Sequence, residues 1–423
     1  MLASPPRSYR RAEFPSSYHS VRLHHYLTYH SSILIPAFEK VHPLCQIMSA
    51  TIDRLLPVEL TSFRRKEPRG MANSTRCIGV VLFQLGGPDT LEAVEPFLFN
   101  LFSDPDIIDF PGARLGRKAL AKLISGTRAR KVRHHYDAIG GGSPIRRFTE
   151  QQARCLQLKL AECGLNARCF VAMRYWHPFT SEAIDQVRAA GCREVVLLPL
   201  YPQYSNATTG SSLNEWRRLF SDDVPVRLIE SFYQNELYLQ ALAERIDEAL
   251  TRFPEPDRVE LVFSAHSVPV AVIEKGDPYQ GQIEKTVGLL VEHGGWRNPY
   301  RLCFQSKVGT SRWLQPSLHK TLRDLAGEKV RQVCVVPISF VSDHVETLGE
   351  IDRHARQEAA DLGVMRFEMT EGLNNSPTFI AALADLVLGA LGRRRIQRSA
   401  SRFAIVRNCA DDAPGDGFVA TVS

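Results

Sequence analysis

The sequence predicts an α/β protein built as two Rossmann-like domains with parallel sheets around a shared cleft, and three observations carry that expectation. From Ile78 onward, short β-branched runs alternate with amphipathic helical patterns, the order expected of βαβ units. Two of these runs, Arg193-Glu194-Val195-Val196-Leu197-Leu198-Pro199-Leu200 and Arg331-Gln332-Val333-Cys334-Val335-Val336-Pro337-Ile338, match in order. Each leads to a serine and a polar turn containing Thr and Gly, which implies an internal duplication. Finally, the apolar runs ending at His266 and before Asp343 empty into residues that bind metals or move protons, and ligands of open parallel sheets sit outside the carboxyl ends of the strands.

Taken in order, residues 1–70 are rich in Ser, His, Arg and Pro and lack a sustained period. Glu13, Glu39, Asp53, Glu59 and Glu67 argue against an acid-poor targeting leader, so residues 1–76 are expected to be a disordered extension, with Met71 as an alternative start. Strands are expected at 78–85, 167–173, 194–200, 259–263, 301–304 and 330–340. The helical patterns fall at 149–163, 181–190, 236–252 and 343–360. Residues 91–102 are apolar around the whole circumference, which suits a buried helix or one greasy lip of a pocket. The first domain is placed at 77–205 and the second at 206–375. A helix at 376–391 able to pack on either domain follows, then a flexible tail at 392–423.

The chain has 423 residues, 44% of them apolar, enough to bury a large core. No run approaches the ~18 apolar residues of a membrane span, so a soluble protein with at most a weak membrane-surface contact is expected. The formal charge of +6 is modest, and Arg393-Arg394-Arg395 reads as a solvated terminus, so nucleic acid is not an expected partner. Nine cysteines without a C-x-x-C pair read as buried thiols of a reducing compartment, which points to the cytoplasm.

Chemistry concentrates after two strands. A helix beginning near Asp343 places Asp343, Glu346 and Glu350 on one face beside His344. Asp343-x-x-Glu346 also fits a helix cap, which explains two acids but neither the third nor the histidine. His266, alone, reads as a structural histidine; at a strand exit opposite an acidic stripe it reads as functional. Ile139-Gly140-Gly141-Gly142-Ser143-Pro144 matches neither phosphate-loop pattern and is expected to be a tight turn letting the backbone approach a flat ligand. Met173-Arg174-Tyr175-Trp176-His177-Pro178 and Leu200-Tyr201-Pro202-Gln203-Tyr204-Ser205 offer aromatic and guanidinium groups suited to flat anionic ligands, and equally to ordinary core edges.

Together with Leu85-Gly86-Gly87-Pro88, Ser264-Ala265-His266-Ser267, Gln305-Ser306-Lys307-Val308-Gly309 and Ser342-Asp343-His344-Val345-Glu346-Thr347-Leu348, these motifs resemble the ferrochelatase family across about residues 78–391. The resemblance implies a chelatase-type fold and insertion of ferrous iron into protoporphyrin IX, giving protoheme and two protons in the last step of heme biosynthesis. It also implies His266 and Glu346 as iron ligands, and Asp343, His344 and Glu350 as an acidic and imidazole path from that site. Leu85, Tyr136, Arg174 and Tyr201 match positions lining the macrocycle or the opposite, metal-entry side; Phe232 stands where some members have a Trp near the porphyrin. The implied partners are porphyrin and ferrous iron, with iron as substrate and no permanently bound cofactor. Some members carry an iron–sulfur cluster; here the internal cysteine position reads Asn206 and the tail holds only Cys409, so no cluster is expected. Coproporphyrin as substrate, a cobalt chelatase, and a tetrapyrrole or metal carrier stand as alternatives. Oligomeric state is left open.

Overall fold

The computed structural model describes residues 76–106, 113–307 and 311–393; the expectations for the N-terminal extension, the tail and Cys409 lie outside them. Buried parallel strands should read as continuous apolar runs, and those runs form the centre of both sheets. In chain order the elements are β1 (Ile78–Gln84), α1 (Val94–Ser103), α2 (Ala113–Asp137), α3 (Ile145–Glu162), β2 (Ala167–Met173), α4 (Thr180–Ala189) and β3 (Glu194–Pro199). A π-helical turn, Asn206–Gly210, precedes α5 (Ser211–Leu219), β4 (Val226–Leu228) and α6 (Glu236–Leu250). Then come β5 (Glu260–His266), α7 (Val270–Glu274), α8 (Tyr279–Gly294), β6 (Tyr300–Gln305), α9 (Leu318–Gly327) and β7 (Gln332–Pro337). A second π-helix, Val345–Ala355, leads into α10 (Arg356–Asp361), β8 (Arg366–Met369) and α11 (Pro377–Ala390).

The strands make two four-stranded sheets of the same order, β2-β1-β3-β4 and β6-β5-β7-β8, and every pairing is parallel. The α/β class with two Rossmann-like halves is therefore what the chain forms. The repeated segments are β3 and β7, which hold the same place in the two sheets, and each runs into a π-helix. β4 lies beyond residue 205 and pairs with β3, so the first sheet extends to Leu228.

One apolar cluster runs through both sheets: Leu82 of β1, Leu156 of α3, Tyr238 of α6, Phe263 of β5 and Leu383 of α11 all belong to it. α11 contacts both α3 and α6, which settles its packing. The opposite faces carry separate clusters, under α4 and α5 for the first sheet and under α9 and the second π-helix for the other. A fourth cluster joins α1 and α2 with Leu85, Tyr175, Trp176 and Val345, so the greasy 91–102 stretch is a hairpin partner of α2 whose Val94, Phe97, Leu98 and Phe102 are buried.

The expected tight glycine turn forms. Gly140 and Gly141 have φ of 108° and 91°, and a Cβ on Gly142 would stand 2.2 Å from the Asp89 carbonyl oxygen. Gly142 packs against the chain's own Pro88–Asp89 segment, held by the Ser143 N–H donating to Pro88 O at 2.7 Å.

Candidate active site

β5 is buried along its length until His266, its last residue, which is half-buried. Three hydrogen bonds fix this histidine. Its backbone N–H donates to Ser339 Oγ (2.9 Å), its carbonyl accepts from the Tyr279 hydroxyl (2.9 Å), and its Nδ1 lies 2.6 Å from Ser267 O. A carbonyl only accepts, so Nδ1 carries the proton and Nε2 is the free nitrogen. His344 is held alike, with Nδ1 donating to Ser342 O at 3.0 Å.

Both Nε2 atoms point to Glu346. His266 Nε2 is 3.7 Å from Oε1, and His344 Nε2 is 3.7 Å from Oε2. These gaps exceed hydrogen-bond length, and the His266 and Glu346 side chains are 35% and 29% exposed, so the pair is open and reachable. Burial works against the Glu346 charge, but His266 and then His344 outweigh it and hold the acid at about 2. Burial likewise opposes charge on His344, yet Glu346 beside it raises the imidazole above its ordinary value. Glu350 is pushed up by burial and then by Glu346, while a hydrogen bond from Ser306 (2.5 Å) partly offsets this. Ser306 sits at φ 62°, a left-handed conformation uncommon for a residue with a Cβ. Gln305 adds a bond from its side-chain amide to the Glu346 carbonyl (3.2 Å).

The helix that carries the acids differs from the expected one. It starts at Val345 as a π-helix, and Asp343 lies before it, so the Asp343-Glu346-Glu350 stripe does not form. Asp343 is buried, and its carboxylate accepts from the Asn374 side chain (2.7 Å) and from Gly372 N–H (3.2 Å). The cap reading also shifts by one residue, because the His344 N–H donates to Thr347 Oγ1 at 3.0 Å.

The other expected site residues fall in three places. Tyr136, at the end of α2, is buried; burial and then Glu346 and Glu350 raise its hydroxyl, so it lies within electrostatic reach of those acids. Leu85 packs between the α1–α2 cluster and the first sheet. Arg174 pairs with the fully buried Asp104 (3.0 Å) and donates from Nε to Ser211 Oγ (2.9 Å). It lines a pocket of about 480 Å³ with Asn100, Thr180, Asn214 and Glu215, a pocket to which neither His266 nor Glu346 contributes. Tyr201 is buried near Arg174, its hydroxyl 3.4 Å from Ser212 Oγ. Phe232 is buried in the joint core, edge-on to Tyr238 at 5.3 Å. Sequence reading gave no role to Tyr279, Ser339, Ser306 or Asp104. The signal for Tyr279 was Asp277-Pro278 ahead of an apolar helical pattern, a helix start.

Among the described residues no group of three or more His, Cys, Asp or Glu is arranged to hold a metal ion, and no helix is long and apolar enough to cross a membrane.

The family model described as Ferrochelatase matches residues 77–391. A ferrochelatase of Cyanothece sp. is 48% identical over 320 residues, covering 74% of this chain and 82% of that protein. One of Aquifex aeolicus is 47% identical over 313 residues, covering 73% and 98%. Among solved structures, SirB from Bacillus subtilis with Fe3+ aligns at 11% identity and a TM-score of 0.44, covering 74% of this chain and 95% of that one. The family match spans every strand of both sheets and both strand exits just described, and relatives close to half identical agree with it: the chain belongs to the ferrochelatase family, lyases that insert ferrous iron into porphyrin as the final step of heme biosynthesis.

Proposed function

We propose that His266 and Glu346 carry the iron and proton chemistry of this chelatase, with His344 and Glu350 behind them. One observation supports this above the others. With both Nδ1 atoms committed to carbonyls, each neutral ring turns a lone pair, not a proton, toward a carboxylate oxygen 3.7 Å away. Three acceptors facing one another repel unless a proton or a cation lies between them. Protons and a ferrous ion are what the reaction moves: porphyrin with two pyrrole N–H groups plus ferrous ion gives metalloporphyrin plus two protons.

His266 Nε2 takes a pyrrole proton or lends its lone pair to the ion, one role at a time. The ionised Glu346 attracts the cation through hard oxygens that release it easily. Glu350, with its raised pKa, takes a proton onward to solvent. Asp343 serves this path by anchoring the start of the π-helix to Gly372 and Asn374. Leu85, Tyr136, Arg174 and Tyr201 are the proposed macrocycle-side residues, and Phe232 supports them from the core.

Protoporphyrin IX is the proposed macrocycle, from the 173–178 stretch, in a cytoplasmic enzyme with no bound cofactor and iron as substrate only. The boundary between the lobes is placed after β4. A weak contact with an anionic membrane surface belongs to the same reading. α2 carries eight Lys or Arg against the single acid Asp137, and Leu120 and Leu123 stand exposed among them.

Anaerobic incubation with ferrous or zinc ion and either free porphyrin, followed by absorbance, tests the reading. His266→Ala is expected to abolish insertion with the fold retained, and near-normal turnover would overturn the assignment. Glu346→Gln is expected to lower the rate by about 10²-fold or more while porphyrin still binds; lost porphyrin binding would make Glu346 structural. Tight porphyrin binding without metalation by the unaltered protein would favour a carrier, and metalation of coproporphyrin alone would replace the substrate.

A further inference from the structure

The backbone of His266 is held by groups that the reaction itself does not use. Tyr279, the first residue of α8, is buried, and its hydroxyl donates to the His266 carbonyl at 2.9 Å. From the other side, Ser339 Oγ accepts the His266 N–H at 2.9 Å. Ser339 lies just beyond β7 and Tyr279 beyond α7, so two separate segments grip one residue above and below its Cα.

Tyr279 is itself set in place by Asp277. That carboxylate is buried, and its Oδ1 accepts the Tyr279 N–H (3.0 Å). Its Oδ2 accepts Ser205 Oγ (3.1 Å) and the Asn206 N–H (2.8 Å). Ser205 and Asn206 open the π-turn that follows β3, so Asp277 reaches from the second sheet's side of the chain to the strand exit of the first. A continuous run of hydrogen bonds therefore leads from the first sheet through Asp277 and Tyr279 to His266. Ser205, Asp277 and Tyr279 are buried, and there an unmade hydrogen bond is costly.

We propose that Tyr279 is a positioning residue for His266, and that Asp277 registers it against the first sheet, so that the imidazole keeps its place relative to a macrocycle bound between the lobes. The proposal rests on the role given to His266 above. Neither residue touches substrate. Loss of the Tyr279 hydroxyl leaves the ring, the core packing and the porphyrin surface in place but lets the His266 main chain shift. A displacement well under an ångström matters for a proton or metal transfer and not for macrocycle binding.

The test compares Tyr279→Phe, Ser339→Ala, their double variant, Asp277→Asn and His266→Ala as full-length enzymes, using zinc insertion into protoporphyrin and the thermal midpoint. For Tyr279→Phe the expected result is a three- to tenfold fall in kcat, the size of one net hydrogen bond, with the porphyrin KM within twofold and the midpoint lowered by no more than a few degrees. The double variant should lose less than the product of the two singles, because both hydroxyls act on one residue. Asp277→Asn should reproduce the kcat loss. An unchanged kcat in Tyr279→Phe, a loss confined to KM, or multiplicative singles would overturn the proposal. If Asp277→Asn does not fold, the Tyr279 and Ser339 pair decides. Inactive His266→Ala beside normal Tyr279→Phe sinks this inference alone, whereas an active His266→Ala sinks the function reading.

Discussion

The Glu346 carboxylate couples its own charge, and that of the His344 imidazole beside it, to folding. His344 is raised above its ordinary value of 6.5, so its contribution is fully present below that pH and is lost as pH rises through the raised value. Glu346 is lowered from 4.5 to about 2, so its contribution is present above pH 4.5 and lost only on strong acidification. Glu350 is raised in part by Glu346, a penalty that grows as pH rises. Above pH 6.5, then, Glu346 is constant while loss of the His344 proton makes the site less favourable. The stability of the unaltered protein minus that of Glu346→Gln should shrink over that interval, measured by chemical denaturation at each pH. A difference that stays level or grows would mean that the three groups do not titrate together.

At the scale of elements, the join between α3 and the β7 exit rests on Gln152. This side chain is fully buried, and its amide donates to Ser342 Oγ (3.0 Å) and to the Asn374 carbonyl (2.7 Å). Asn374 in turn binds Asp343, so one amide supports the start of the π-helix. Gln152→Ala leaves two acceptors buried and is expected to cost about 1–3 kcal/mol in denaturant unfolding; a neutral result would show water taking over both bonds. What the sequence revealed follows from the same physics. Central strands such as β1 and β7 are buried on both faces and write an unbroken apolar run, so they were legible. β4 is three edge residues, two of them exposed, and β8 only four, too short to leave a pattern. α2 is polar around most of its surface and hid its helical period. The place of His266 at the end of a strand was legible, and Glu346 lies beyond β7 in the second π-helix. The π-helix was not, because i→i+5 bonding leaves no distinct hydrophobic period, and Asp343 was misplaced on a stripe because the helix starts two residues later, at Val345.

The duplication of the whole molecule is one of architecture and not of chemistry. Ile338 N–H donates to Ser264 O, and Leu200 N–H donates to Phe83 O, so His266 of the second sheet corresponds to Leu85 of the first. Counting from Pro337 and Pro199, Glu346 corresponds to Thr208. The second sheet therefore ends in an imidazole and an acid where the first ends in an apolar side chain and a hydroxyl. Under the proposed function, that difference would set an apolar contact on one side of a flat ring and the groups that handle the ion on the other. Such a division works only if the lobes hold a fixed relation, and the shared cluster supplies it: Leu383 of α11 is fully buried among residues from both sheets. Leu383→Ala should cost about 2–5 kcal/mol. Because one core serves both sheets, amide exchange should speed up by a similar factor in β1 and in β7, with a single calorimetric transition. Loss of protection in one sheet while the other stays unchanged would show that the lobes fold separately, and the strut from Asp277 to His266 would then have no fixed frame to refer to.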